Sequence, residues 1–108
     1  MAGIIKKVTN IKNIYTYFQF TGYDEWDDFD LLLSILTDKI GCHVLTKIDG
    51  IYSKHCTLEK GSFVFKLMYH EDFGNCLCNQ EKKDRVYYQQ LEEIANEMLP
   101  FVELIIPL

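Results

Sequence analysis

Five carboxylates stand within seven residues in the first third of the chain, and no basic residue lies among them. One or two acidic side chains in a first turn stabilise a helix through its dipole, by about 0.3–1 kcal/mol each. Further carboxylates repel one another, and a basic partner would relieve that repulsion and be steered toward it. The pattern predicts a surface that binds a basic protein, with a solvated helix face as the alternative. The cluster comprises Asp24, Glu25, Asp27, Asp28 and Asp30.

A second acidic segment, Glu71 and Asp72, follows His70 in the later half of the chain. We interpret it as a second docking point for the same partner, with a polar turn or a carboxylate–histidine pair as alternatives. Tyr52 and Tyr69 lie nearby in the sequence, and aromatic side chains are favoured at the energetic centre of protein interfaces. Both tyrosines are therefore candidate contact residues.

The histidines and cysteines raise the alternative of metal or thiol chemistry, centred on Cys42, His43, His55 and Cys56. Zinc needs about four convergent ligands. Each Cys–His pair is adjacent on a predicted strand, so its two side chains point to opposite faces. His43 and Cys56 are predicted cross-strand partners, whereas Cys42, His55 and His70 meet only in a favourable register. We predict no metal and no cofactor, and keep a metal- or thiol-dependent protein as an alternative.

Catalytic signatures do not emerge from the sequence. A His43–Cys56 pair would supply a base and a nucleophile, but no third residue is placed to orient them. The sequence contains no phosphate-binding glycine-rich loop and no Gly-x-Ser-x-Gly elbow. We therefore predict that the protein is not an enzyme.

Size and composition limit the function classes further. The 108 residues are 48% hydrophobic, which predicts a single globular domain spanning 1–108. A net charge of −5 disfavours binding to nucleic acid, because phosphates would be repelled. Apolar runs are too short to span a membrane, and no secretory signal is recognisable. These features predict a cytoplasmic protein with four reduced cysteines, of which Cys76 and Cys78 are spaced too closely for a zinc knuckle.

Hydrophobic periodicity places these residues on secondary structure. Strands are predicted at 14–20, 42–48, 51–58 and 63–70, with a short one at 75–78. The GIIKKV segment is expected to form a short strand or a frayed start of the chain. Asp49-Gly50 predicts a tight hairpin turn that sets Ile48 opposite Ile51.

Helices are predicted at 24–40, with Asp24 as N-cap, Gly41 as terminator and Trp26 on the core-facing stripe, and at 81–99, stopped by Pro100. The core-facing stripe of the second helix is predicted to comprise Tyr87, Leu91, Ile94 and Met98. Alternation along 63–70 predicts one strongly apolar face, formed by Phe63, Phe65, Leu67 and Tyr69.

The order of these elements predicts an α+β fold: a two-layer sandwich with a mostly antiparallel sheet and two helices packed on it. The apolar tail 101–108 is expected to add a strand or to form an arm on a second chain. A homodimeric structural protein is therefore a further alternative.

Part of the chain resembles small immunity proteins of bacterial toxin systems, including those of contact-dependent growth inhibition. The resemblance covers about a third of the chain and rests on a hairpin, an apolar strand and an acidic loop. The matching residues are Lys47-Ile48-Asp49-Gly50, Ser53-Lys54, Phe63, Phe65 and Leu67, and Glu71-Asp72 leading to Gly74-Asn75.

Together with the acidic clusters, the resemblance implies a small acidic binding protein. It would neutralise a cognate toxin by stoichiometric, non-covalent binding. The expected partner is a basic toxin domain, and a nuclease fits because nucleases carry basic surfaces for phosphate.

Overall fold

The computed structural model describes residues 4–10, 15–72, 74–78 and 85–105, and the side chains of 17–72, 74–78 and 85–102. Within these ranges, six strands form one sheet in the order β1-β2-β6-β5-β4-β3, and every neighbouring pair is antiparallel. This arrangement confirms the predicted α+β class. The strands are β1 (Ile4–Asn10), β2 (Tyr15–Thr21), β3 (His43–Asp49), β4 (Ser53–Lys60), β5 (Phe63–His70) and β6 (Gly74–Cys78).

Period-two alternation in β5 decides which side of the sheet receives the helices. Phe65, Leu67 and Tyr69 are buried in the core, while the residues between them are half-buried on the other side. The side chains that share the core with them come from β2, β4, β6 and both helices. The other side, called the opposite face below, carries His55, Lys66, Met68, Cys76 and Cys78.

The first helix, α1 (Asp28–Ser34), begins four residues later than the sequence predicted. Its N-cap is Asp27, so the prediction that Asp24 caps the helix is wrong. The helix continues as π-helical turns over Ile35–Ile40 and ends at Gly41, whose φ of 88° confirms the predicted left-handed terminator.

The β3–β4 hairpin has a longer turn than Asp49-Gly50 alone. Asp49 pairs with Lys54 and Ile48 with His55, and the Gly50 amide donates to the Ser53 carbonyl at 2.7 Å. The predicted pairing of Ile48 with Ile51 is therefore wrong. His43 faces Glu59 rather than Cys56. A bulge between Val44 and Thr46 shifts the register further.

The second helix, α2 (Arg85–Ile105), contains Pro100 instead of ending there. The missing amide costs one bond, but residues beyond it gain burial: Val102 is fully buried in the core. The prediction of a strand or arm is therefore wrong for 101–105, while 106–108 and the predicted helix start at 81–84 lie outside the described residues. The predicted core stripe of α2 is confirmed, with Tyr87, Leu91, Ile94 and Met98 all buried.

Among the described residues, no helix is long and apolar enough to cross a membrane.

Candidate functional site

The first acidic segment begins in a turn that is fastened to β6 and continues into α1. The Asn75 side-chain amide donates to the carbonyls of Tyr23, at 2.9 Å, and Glu25, at 3.4 Å. Asp24 lies against Gly74, where a Cβ atom would come within 3.1 Å of the Asp24 carboxylate. These contacts fix the backbone before the turn in which the Asp28 amide donates to the Glu25 carbonyl at 3.1 Å, and α1 starts at Asp28.

One carboxylate of this segment, that of Asp28, makes a local contact, and the side chains of the other four acidic residues are exposed. The Glu25 amide donates to the Asp28 carboxylate at 3.0 Å, which fixes the entry into α1. Asp24, Glu25, Asp27 and Asp30 are exposed. The segment is therefore rigid at its backbone and open at its charged ends.

The second acidic segment meets the first around Tyr69. Burial raises the pKa of the Tyr69 phenol, and the carboxylates of Glu25, Glu71, Asp24 and Asp28 raise it further. Carboxylates from two distant parts of the sequence thus act on one hydroxyl. We call the combined set the acidic surface: Asp24, Glu25, Asp27, Asp28, Asp30, Glu71 and Asp72.

A buried lysine supports the acidic surface from below. Lys54 is 4% exposed, and its ammonium donates to the Asp30 carboxylate at 3.4 Å and to the Trp26 carbonyl at 3.3 Å. The same ammonium lies 4.4 Å from the centre of the Trp26 ring. Lys47 also approaches Asp30, at 3.5 Å. Asp30 is therefore compensated by two lysines, so the excess negative charge resides mainly on the other carboxylates.

Large apolar side chains border the acidic surface. Trp26 is 37% exposed and packs edge-on against Tyr69, with ring centres 5.6 Å apart. Ile51 and Tyr52 in the β3–β4 turn are exposed, and the Glu71 amide donates to the Tyr52 carbonyl at 3.3 Å. That bond ties the exposed turn to the second acidic segment.

The structure changes the roles of the predicted aromatic residues. Tyr52 is available for contact, whereas Tyr69 is only 7% exposed and supports Trp26 instead. Trp26 was assigned to the core stripe of the first helix, and its place at the surface was missed. Its two neighbours in the sequence indicate the surface position, because Glu25 and Asp27 flank Trp26 and both have to face solvent.

His70 and Asp72 adopt the local pairing considered as an alternative. The Asp72 amide donates to His70 Nδ1 at 3.0 Å, and the Asp72 carboxylate lies 3.7 Å from the same nitrogen. The pair sits in the β5–β6 turn and belongs to the edge of the acidic surface.

The cysteines and histidines of the metal or thiol alternative are not brought together. Cys56 is fully buried on the helix side of the sheet, whereas its neighbour His55 is on the opposite face. His43 lies across from Glu59 at the sheet edge. Burial raises the pKa of the Cys42 thiol to about 11 and also raises the pKa of the Cys56 thiol. Both thiols therefore resist the deprotonation that a nucleophile needs. In the described part of the chain, no three His, Cys, Asp or Glu side chains form a metal-binding group.

Comparison of the chain with protein-family models, curated proteins and solved structures found no match of any kind.

Proposed function

We propose that this protein is an immunity protein that neutralises a cognate bacterial toxin by stoichiometric, non-covalent binding through the acidic surface. The observation that carries the proposal is the convergence of two acidic segments around Tyr69, with Trp26 and Tyr52 exposed at their border. Surplus charge steers a basic partner, and the aromatic side chains supply desolvated contact area.

Pre-organisation supports binding rather than mere solvation. Asn75 fixes the backbone of the first acidic segment, and Lys54 holds Trp26 and Asp30. A surface that is already ordered loses little conformational entropy on binding, so more of the contact free energy appears as affinity. Exposed charges that only confer solubility need no such fastening.

A basic toxin domain is the partner that fits both charge and resemblance. Such a domain, for example a nuclease, exposes lysine and arginine side chains that bind phosphate. Covering those side chains with carboxylates would block substrate access, either at the active site or beside it. The protein would act in the cytoplasm, where its four free cysteines remain reduced.

Capture with charge-matched variants tests the proposal. The acidic-surface variant carries Glu25→Gln, Asp27→Asn and Glu71→Gln. The control variant carries Asp38→Asn, Glu59→Gln and Glu93→Gln, which remove the same three charges elsewhere. Each tagged protein is incubated with a lysate of its source bacterium at low salt, and the eluate is identified by mass spectrometry.

The proposal expects the wild type and the control variant to retain a basic protein in one-to-one ratio, and the acidic-surface variant to lose it. Co-expression must then abolish the growth inhibition caused by that protein. Equal capture by both variants, or a captured protein without toxicity, would contradict the proposal.

A further inference from the structure

Two buried thiols lie side by side on the opposite face of the sheet. Cys76 and Cys78 are two residues apart in β6, so their side chains leave the same face of the strand, and Leu77 between them packs in the core. The two cysteines are only 3% and 4% exposed. Because a strand rises about 3.3 Å per residue, the two side chains start roughly 7 Å apart on one face, so the thiols are neighbours.

The neighbouring strand β5 places a thioether and an ammonium beside these thiols. Met68 lies directly across from Cys76, and Lys66 directly across from Cys78. Residues paired in this way have Cβ atoms about 4.5–5.5 Å apart, which brings a methionine sulfur within reach of a facing cysteine.

This set of sulfur atoms has a defined metal preference. Thiolates and thioethers are soft ligands that select Cu(I), whereas structural zinc takes four ligands in a tetrahedron. His, Cys, Asp and Glu side chains do not gather in threes within the described ranges, so zinc would lack its remaining ligands there. Two thiolates bound to a monovalent ion leave one negative charge, which the Lys66 ammonium can balance.

We propose that Cys76, Cys78 and Met68 form a binding site for a soft monovalent metal ion of the Cu(I) class. On binding, each thiol releases its proton to solvent, two metal–thiolate bonds form, and the Met68 thioether supplies a third ligand. The ion enters and remains as Cu(I), so no electron is transferred. The site is separate from the acidic surface and does not depend on the proposed function.

Competition for Cu(I) tests the site. The reduced full-length protein is titrated without oxygen against Cu(I) held by bicinchoninate, whose copper complex is coloured. The wild type is expected to remove one equivalent from the chelator. Cys78→Ala and Cys76→Ala should each weaken binding by at least about 100-fold, the upper end of losses seen when only an outer-shell partner is removed. Met68→Leu should weaken it by about tenfold, the lower end of that range.

Matched controls separate this site from general thiol binding. Cys42→Ala and Cys56→Ala remove the two other buried thiols and should leave Cu(I) affinity unchanged. Circular dichroism of every variant confirms that the fold persists. No withdrawal of copper by the folded wild type, equal losses in all four cysteine variants, or one-to-one retention of Zn(II) through the same two cysteines would overturn the proposal.

Discussion

Tyr69 and His55 stand on the two sides of one sheet in electrostatic surroundings of opposite sign. Beyond the effect of burial, four carboxylates raise the pKa of Tyr69, while Lys66 and His70 lower the pKa of His55. Strand β5 builds both environments, because Tyr69 points to the helix side and its neighbours point away.

An acidic chain can thus confine its surplus negative charge to one side of a sheet. On the opposite face, cationic groups stand beside thiols and histidine. At the acidic surface, Lys54 and Lys47 compensate only Asp30 in the interactions described above. A net charge of −5 therefore understates the contrast between the two sides of the sheet.

Among the single substitutions that test the comparison between the acidic surface and the opposite face, Trp26→Ala has the largest expected effect, which is on partner binding. This substitution should weaken binding of the captured toxin by about 30-fold or more, because buried aromatic hot spots contribute about 2 kcal/mol or more. Val86→Ala removes apolar surface that is exposed on α2, away from the acidic surface, and should leave affinity unchanged. Isothermal titration calorimetry measures both, and equal affinities for the two variants would remove Trp26 from the interface.

Lys54 should contribute more to stability than a lysine paired at the surface. Lys54→Met removes a buried ammonium that contacts Trp26 and Asp30, and should lower the free energy of unfolding by about 2 kcal/mol. Lys60→Met breaks an ion pair with Glu97. The Lys60 side chain is 35% exposed and that of Glu97 47%, so the free energy of unfolding should fall by less than about 1 kcal/mol. Urea unfolding measures both, and similar losses would show that Lys54 does not anchor the acidic surface.

Tyrosine titration tests whether the two acidic segments converge. The pKa of Tyr69 is raised above 10.0, and the acidic-surface variant, which lacks Glu25 and Glu71, should shift it back downward. The control variant should leave it in place. Because the folded state holds the phenol proton more tightly than the unfolded chain, stability should decline as pH rises above 10.0. Site-resolved NMR follows the titration, and identical Tyr69 curves in the two variants would refute the convergence.

The smallest effect concerns His55. Its lowered pKa means that the unfolded chain takes up a proton that the folded protein resists, so stability should fall as pH drops below 6.5. Lys66→Gln removes one cause and should make the fall shallower. Urea midpoints measured above and below pH 6.5 report this slope, and a steeper fall in the variant would contradict the cationic character of the opposite face.

The sequence predicts those helices and strands in which buried and exposed residues repeat at a regular spacing. The stripe of α2 and the alternation of β5 were both predicted from the sequence, since burial follows directly from their periods of 3.6 and two. The left-handed conformation of Gly41 was also predictable from local sequence, because glycine is favoured directly after the last residue of a helix. The acidic residues were found as a cluster, because charge and spacing are visible without a structure.

Long-range contacts decided what the sequence could not predict. The Asn75 side chain binds the carbonyls of Tyr23 and Glu25 and fixes a turn where the sequence predicted the start of a helix, and no local pattern reveals that partner. Burial of Val102 offsets the helix bond lost at Pro100. The acidic surface itself joins segments more than forty residues apart, which the sequence suggested only as two separate docking points.

If the acidic surface attracts a basic partner, the association rate constant with the captured protein must depend on its carboxylates. Stopped-flow fluorescence would compare the wild type, the acidic-surface variant and the control variant across ionic strength. We expect the first variant to associate about tenfold more slowly at low salt and with a flatter salt dependence, while the control follows the wild type. Identical rate constants and salt slopes in all three proteins would contradict the account.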